Sequence, residues 1–178
     1  MAEQWDVYDV NRQRTGRIIE RPSAWGEEAY HLIVHVAVFD AEQRMLIQRR
    51  SPRKHAWADL WDVSAGGSAL AGEESRQAAE RETFEELGLQ LDLKDVRPHF
   101  TINYTRGFDD FYTVATDHLS LSSLKLQESE VAEVRWASHE EVHGMLQAGT
   151  FVPYFPGLID LLWQVRDNYD GAIRQDRP

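Results

Sequence analysis

Gly66-Gly67-Ser68-Ala69-Leu70-Ala71-Gly72-Glu73 leads through Glu74 to Glu80 into Arg81-Glu82-Thr83-Phe84-Glu85-Glu86-Leu87-Gly88-Leu89. Between Glu74 and Leu87 there is neither glycine nor proline, and Gly88 supplies a natural stop, so the stretch predicts a helix. On it Glu82, Glu85 and Glu86 fall at i, i+3 and i+4, within one narrow arc. Like charges at those spacings oppose helix formation by about 0.2–0.5 kcal/mol per pair. Three converging carboxylates want a counter-charge, and Mg²⁺, a hard cation with oxygen ligands, fits such a cluster. The opposite face offers Ala78, Ala79, Phe84 and Leu87 for packing on a sheet. Arg81 lies beside the acidic face, within reach of Glu85 one turn on or of Glu73 in the preceding loop, where it would fix carboxylate rotamers. Gly66-Gly67 lets the backbone come close to an ion or a phosphate. A Glu-rich helix is also what a solvated surface face looks like, so charge alone leaves both readings open.

Outward from this helix the pattern is that of a mixed sheet with helices on its faces. Trp5 to Val10 and Arg17 to Glu20, joined through Asn11 to Gly16, read as a hairpin over about residues 5–20. Tyr30 to Phe39 and Met45 to Arg50 are rich in Val, Ile and Leu and read as strands. Further strands are expected at His99 to Thr105, Asp110 to Thr116 and Val131 to Ala137. Ser138-His139-Glu140-Glu141 is a capping box opening a short helix toward Met145. A last helix is expected over about 158–170, with Leu158, Leu161, Leu162 and Val165 at helical spacing.

The 178 residues carry 19 Lys plus Arg and 30 Asp plus Glu, a net charge of −11, and no cysteine. That length suits one domain, 1–178, with an ordinary core. The missing cysteines exclude a disulfide scaffold, a thiolate metal site and a cysteine nucleophile. The negative charge argues against a nucleic acid duplex as partner. The beginning of the chain shows no basic start before an apolar run, and Val142 to Ile159 is interrupted by Gly, Pro and polar residues, so neither a signal peptide nor a membrane span is expected. A cytoplasmic protein follows as the expectation.

The spacing narrows the reading of the helix. Gly67, five residues, Glu73, seven residues, then Arg81-Glu82-Thr83-x-Glu85-Glu86-x-Gly88-Leu89 resembles the box of the Nudix hydrolase family, at residues 67–89. One position departs: Thr83 stands where the family prefers an aliphatic residue. The resemblance covers about Trp5 to Phe155. It implies an α/β/α sandwich on a mixed sheet, and hydrolysis of a nucleoside diphosphate derivative or related small-molecule diphosphate by water attack on phosphorus. It further implies that Glu82, Glu85 and Glu86 bind metal and supply the base, with the Gly66 carbonyl as a further ligand and Arg81 with Glu73 as an orienting pair. Mg²⁺ is the implied cofactor, with Mn²⁺ as a substitute, and a homodimer is common in the family. Many members add a glutamate from a later loop; Glu130 holds that position, with Glu128 and Glu133 as competitors.

Tyr30-His31-Leu32, the run Gln48 to Lys54 and Leu60-Trp61 are similar to the isopentenyl-diphosphate isomerase branch of the same family. That branch has a catalytic cysteine directly before the box glycine and a metal-binding histidine directly after it. Gly66 and Ser68 stand there instead, which favours hydrolysis. Arg49, Arg50, Arg53 and Lys54 form a dense basic cluster, fit either to clamp phosphate oxygens or to offset local acidity. His31 and His35 alternate on one strand face and are expected to be satisfied within the sheet. Trp57, Trp61, Tyr104 and Phe108 are aromatics that could stack a base or fill the core.

Overall fold

A computed structural model describes residues 3–21 and 29–167 of the chain. Strands β1 (Gln4–Tyr8) and β2 (Arg14–Glu20) form the expected hairpin, with Trp5 opposite Ile19. Trp5, Val7 and Tyr8 turn inward, whereas β2 stays exposed along most of its length. The main sheet follows with β3 (His31–Phe39), β4 (Met45–Arg50), β5 (Trp61–Asp62) and β6 (Ala65–Ser68). Helix α1 (Ser75–Leu87) comes next, then β7 (Phe100–Tyr104), β8 (Gly107–Ala115), β9 (Val131–Ala137), α2 (His139–Ala148) and α3 (Pro156–Val165). The order is β5-β4-β3-β8-β7, with β6 paired to β3 and β9 to β4. β3 runs parallel to β8 from His31↔Gly107 to Phe39↔Ala115, and the other named pairs are antiparallel, so the sheet is mixed.

The period of two along β3 divides the core. Leu32, Val34, Val36 and Val38 pack with Leu46, Ala78, Ala79 and Leu87 beneath α1. Ala37 and Phe39 face the other way and join Met45, Ile47, Phe111, Val142, Ile159 and Leu162 beneath α2 and α3. Helices therefore cover both faces, and the α/β/α sandwich is the architecture observed.

Four local expectations need adjusting. Phe84 is 58% exposed, and α1 instead buries Ala78, Ala79, Thr83, Glu86 and Leu87. Residue 84 lies about 100° round the helix from 83, outside that arc. Thr83 suits its place because its hydroxyl donates to the Ala79 carbonyl at 2.7 Å, leaving its methyl for the core. Strand β6 was not expected from a Gly-Gly pair; it forms because β3 supplies its ladder. α2 runs beyond Met145 to Ala148, where Gly149 ends it at φ +68°. Its capping box is as expected, with Ser138 Oγ accepting from the Glu141 amide and the Glu141 carboxylate accepting from that of Ser138. α3 starts earlier than expected, with Pro156 in its first turn, and ends at Val165. Residues 168–170 of the expected helix lie outside the described residues. No helix among the described residues is long and apolar enough to cross a membrane.

Candidate active site

The acidic arc of α1 comes down against the β6 backbone. A Cβ on Gly67 would lie 2.4 Å from the Glu82 carboxylate, so a side chain there would displace that carboxylate from its present position. Glu86 is 2% exposed. It accepts from Gln48 Nε2 at 2.9 Å and from the Gly66 amide at 3.1 Å, with Lys54 Nζ 3.9 Å away. Gln48 reaches it because β4 positions 46 and 48 share the face beneath α1. Burial pushes the Glu86 carboxyl up to about 8; the neighbouring Glu82 adds to this, while Lys54, Gln48 and Gly66 oppose it. Glu82 is raised too, by burial above all and against the pull of Arg81. Glu85, at the rim, is half exposed on its side chain.

Arg81 ties these groups to the preceding loop. Its Nε and Nη2 bind Glu73 at 2.7 and 3.0 Å, its Nη1 donates to Glu82 at 2.9 Å and Glu85 at 3.0 Å, and its Nη2 also donates to the Ser68 carbonyl. Burial works against the guanidinium charge, but the bonds to Glu73 and the charges of Glu82 and Glu73 outweigh it and raise its pKa. Burial likewise acts against the Glu73 carboxylate, yet Arg81 and the Leu70 amide hold it below the ordinary range. Both partners suggested for Arg81 by the sequence, Glu73 and Glu85, are engaged at once.

Arg81, Glu82 and Glu85, with Gly66, Gly67 and Ser68, form one wall of a cavity of about 510 Å³ whose lining includes Arg50, Arg53, Lys54, Trp57 and Glu130. Lys54 pairs with Glu130, so the loop glutamate and Glu86 of the helix share one ammonium. Among the three loop candidates only Glu130 lines the cavity. Glu133 pairs with Arg49 at 3.2 Å instead, and Glu128 is exposed. The basic cluster is therefore divided. Arg49 is held by Asp59 and Glu133 away from the cavity, because β4 alternation sends residues 48 and 49 to opposite faces. Arg50 reaches the cavity but is paired with buried Asp62 at 2.9 Å. Arg53 lines it with no acidic partner among the described residues.

The two β3 histidines also differ. His31 is enclosed as expected, stacked on Trp5 with centroids 4.8 Å apart and bonded to the Tyr104 hydroxyl, and burial lowers its pKa to about 4. His35 departs from expectation: it lines the cavity, and its buried Nδ1 has no hydrogen-bond partner among the described residues. Of the four aromatics, only Trp57 faces the cavity, half exposed and held at φ +53°. Trp61 lies under Arg135, Tyr104 meets His31 and Phe108 packs in the core. Gln48 was missed as part of the site; the signal that marks it is a polar residue directly after the apolar Met45–Ile47 run, on the same strand face as Leu46.

The NUDIX domain family model matches residues 29–155. The chain is 42% identical over 153 residues to an uncharacterized Nudix hydrolase of Listeria monocytogenes, covering 86% of this chain and 90% of that one. It is 32% identical over 104 residues to an isopentenyl-diphosphate Delta-isomerase of Pectobacterium atrosepticum, covering 58% and 56%. The crystal structure of DR0079 from Deinococcus radiodurans superposes with a TM-score of 0.72 at 22% identity, over 89% of this chain and 98% of that one. The chain belongs to the NUDIX family and is a Nudix hydrolase.

Proposed function

We propose that this Nudix hydrolase cleaves a phosphoanhydride bond of a nucleoside diphosphate derivative or related small-molecule diphosphate, with water as nucleophile and Mg²⁺, or Mn²⁺ in its place, as cofactor. The observation that carries the reading is the set Glu82, Glu85 and Glu130 on one cavity that cationic side chains also line, with buried Glu86 tied to Glu130 through the shared Lys54 ammonium. The site suits a hard divalent cation. Its donors are all oxygen, and the carboxyls of Glu82 and Glu86 are raised, as expected where buried negative charge lacks enough compensation. The N–H and C=O of one strand residue leave on the same edge, so the Gly66 carbonyl shares the edge that faces Glu86. Glu82, Glu85, Glu86, Glu130 and that carbonyl would hold the ion, which when bound neutralises phosphate oxygens and acidifies water.

The remaining work falls to the chain itself. Glu82 or Glu85 takes the proton from the attacking water, and Arg81, fixed by Glu73, keeps both carboxylates aimed. Arg53, with Arg50 and Lys54, steadies the diphosphate, since such transfers depend mainly on positioning and charge. The substrate is a small molecule, and the cytoplasm is the compartment this reading assigns.

The isomerase alternative meets a steric obstacle. At Gly66, where that branch has its cysteine, a Cβ would lie 2.8 Å from the Val34 carbonyl and 2.9 Å from His35 Nδ1. Even the first atom of a side chain does not fit. The test incubates the protein and Mg²⁺ with a panel of nucleoside diphosphate derivatives and, separately, with isopentenyl diphosphate. Release of a monophosphate from a panel member is expected. Conversion of isopentenyl diphosphate to its allylic isomer, with no panel compound cleaved, would overturn the reading.

A further inference from the structure

On the face of the molecule built by α2 and α3, His139, His143 and Asp160 bring their ligand atoms within 4.8 Å of one another. The two histidines are four residues apart on α2 and so share one face, with ring centroids 4.4 Å apart. Asp160 comes from α3, packed alongside. Both Nε2 atoms close on one oxygen, Asp160 Oδ1, at 2.7 Å from His139 and 2.9 Å from His143. The His139 ring also meets the indole of Trp163 edge to face at 5.1 Å, which restrains its orientation. None of the three residues lines the catalytic cavity.

We propose that His139, His143 and Asp160 form a second metal site, selective for a borderline transition-metal ion such as Zn²⁺ and distinct from the all-carboxylate site of α1. Two imidazole nitrogens and one carboxylate oxygen are the donor set of three-ligand Zn²⁺ sites, with water as the fourth ligand. The side chains are 25–41% exposed, which leaves that fourth position open to solvent. In the metal-free protein both Nε2 atoms lie within hydrogen-bond distance of Asp160 Oδ1. Binding needs each ring in the neutral form with its proton on Nδ1, so that the Nε2 lone pair faces the ion. Mg²⁺ prefers oxygen and near-ideal octahedral geometry, and so does not compete here.

The site would act as a clip between α2 and α3. The connection between them carries Val152 and Tyr154, which line the catalytic cavity. An ion here would steady that wall from behind without touching substrate.

The test is calorimetric titration of the full chain with Zn²⁺ in millimolar Mg²⁺, together with Zn²⁺-dependent melting. One equivalent of Zn²⁺ is expected to bind and raise the melting temperature in both the natural protein and Glu86→Gln. Both effects should vanish in His143→Gln and in Asp160→Asn. These lie on the surface, and their zinc-free melting curves show whether they fold. Zinc binding that survives both substitutions, or is abolished by Glu86→Gln alone, would overturn the proposal, as would no binding at all. None of these readouts depends on hydrolysis, so the site and the proposed activity stand or fall separately.

Discussion

Glu86 and Asp110 are both almost wholly buried acids, at 2% and 0% exposure, but their surroundings differ. Asp110 is enclosed by donors: the Arg12 guanidinium, Ser75 Oγ at 2.5 Å and Thr101 Oγ1 at 2.5 Å, with the Tyr112 hydroxyl donating to Ser75 in turn. It fastens the hairpin turn, β7 and the start of α1 onto β8. Glu86 has two neutral donors and an ammonium at 3.9 Å, and its pKa is displaced to about 8. A buried acid whose charge is fully met holds the fold together. One whose charge is only partly met is available to a ligand, and the fold tolerates it as the condition of function.

The contrast is broken most directly by swapping the two acids for neutral residues. Glu86→Gln keeps the shape and removes a charge, so kcat is expected to fall roughly a thousandfold, about 4 kcal/mol. Its melting temperature should be unchanged or higher. Asp110→Ala leaves the Ser75 and Thr101 hydroxyls without their buried acceptor and should cost about 3 kcal/mol of stability by denaturant titration. Activity per folded molecule should fall far less than in Glu86→Gln. If Glu86→Gln melts much lower while Asp110→Ala does not, the two roles are reversed.

A middle-sized effect lies along β3. His31 is buried neutral, with its folded pKa lowered to about 4 against an ordinary 6.5. Below pH 6.5 the unfolded chain takes up a proton that the folded one refuses, so stability present at neutral pH is lost as pH falls from 6.5 toward 4. The loss attributable to this group reaches about 3 kcal/mol at most. His31→Phe should flatten the melting-temperature profile across that window. An unchanged profile would mean that His31 is more exposed in solution than its stacking on Trp5 indicates.

The smallest effects sharpen the same rule for cations. Arg49 already spends its charge on Asp59 and Glu133, whereas Arg53 faces the cavity without an acidic partner among the described residues. Arg53→Ala should raise KM about tenfold, near 1.4 kcal/mol, with kcat little changed. Arg49→Ala should leave both within about twofold, since exposed ion pairs contribute about 0–1 kcal/mol. Equal effects would show that both arginines reach the substrate, or that neither does.

Much of the site was legible because its parts are close in sequence. Helical spacing alone puts Glu82, Glu85 and Glu86 on one arc and Arg81 beside them, and the Gly66-Gly67 pair announces a close backbone approach. Thr83 was legible only as a departure from pattern; its bond to the Ala79 carbonyl explains why it is tolerated. The strands of β3, β4 and β9 followed from their apolar runs. β6 did not, since two glycines carry no strand preference and its ladder depends on β3, some thirty residues earlier in the chain. Phe84 shows the opposite failure: its hydrophobicity suggested burial, but the helix rotates to bring Glu86 under cover and leaves the ring outside.

The sequence by itself therefore determined the acidic helix, its glycine-lined approach, the mixed sheet with covering helices and the family. These rest on local periodicity and spacing, which a chain carries along its own length. Only the tertiary structure divided the basic cluster into Arg49 outside and Arg53 at the cavity, and put Glu130, but neither Glu128 nor Glu133, in the cavity lining. It also placed Gln48 against Glu86 and joined Asp160 to two histidines of another helix. Each of those depends on which face of a strand or helix meets which neighbour, a relation set by packing across long loops that no window of sequence contains.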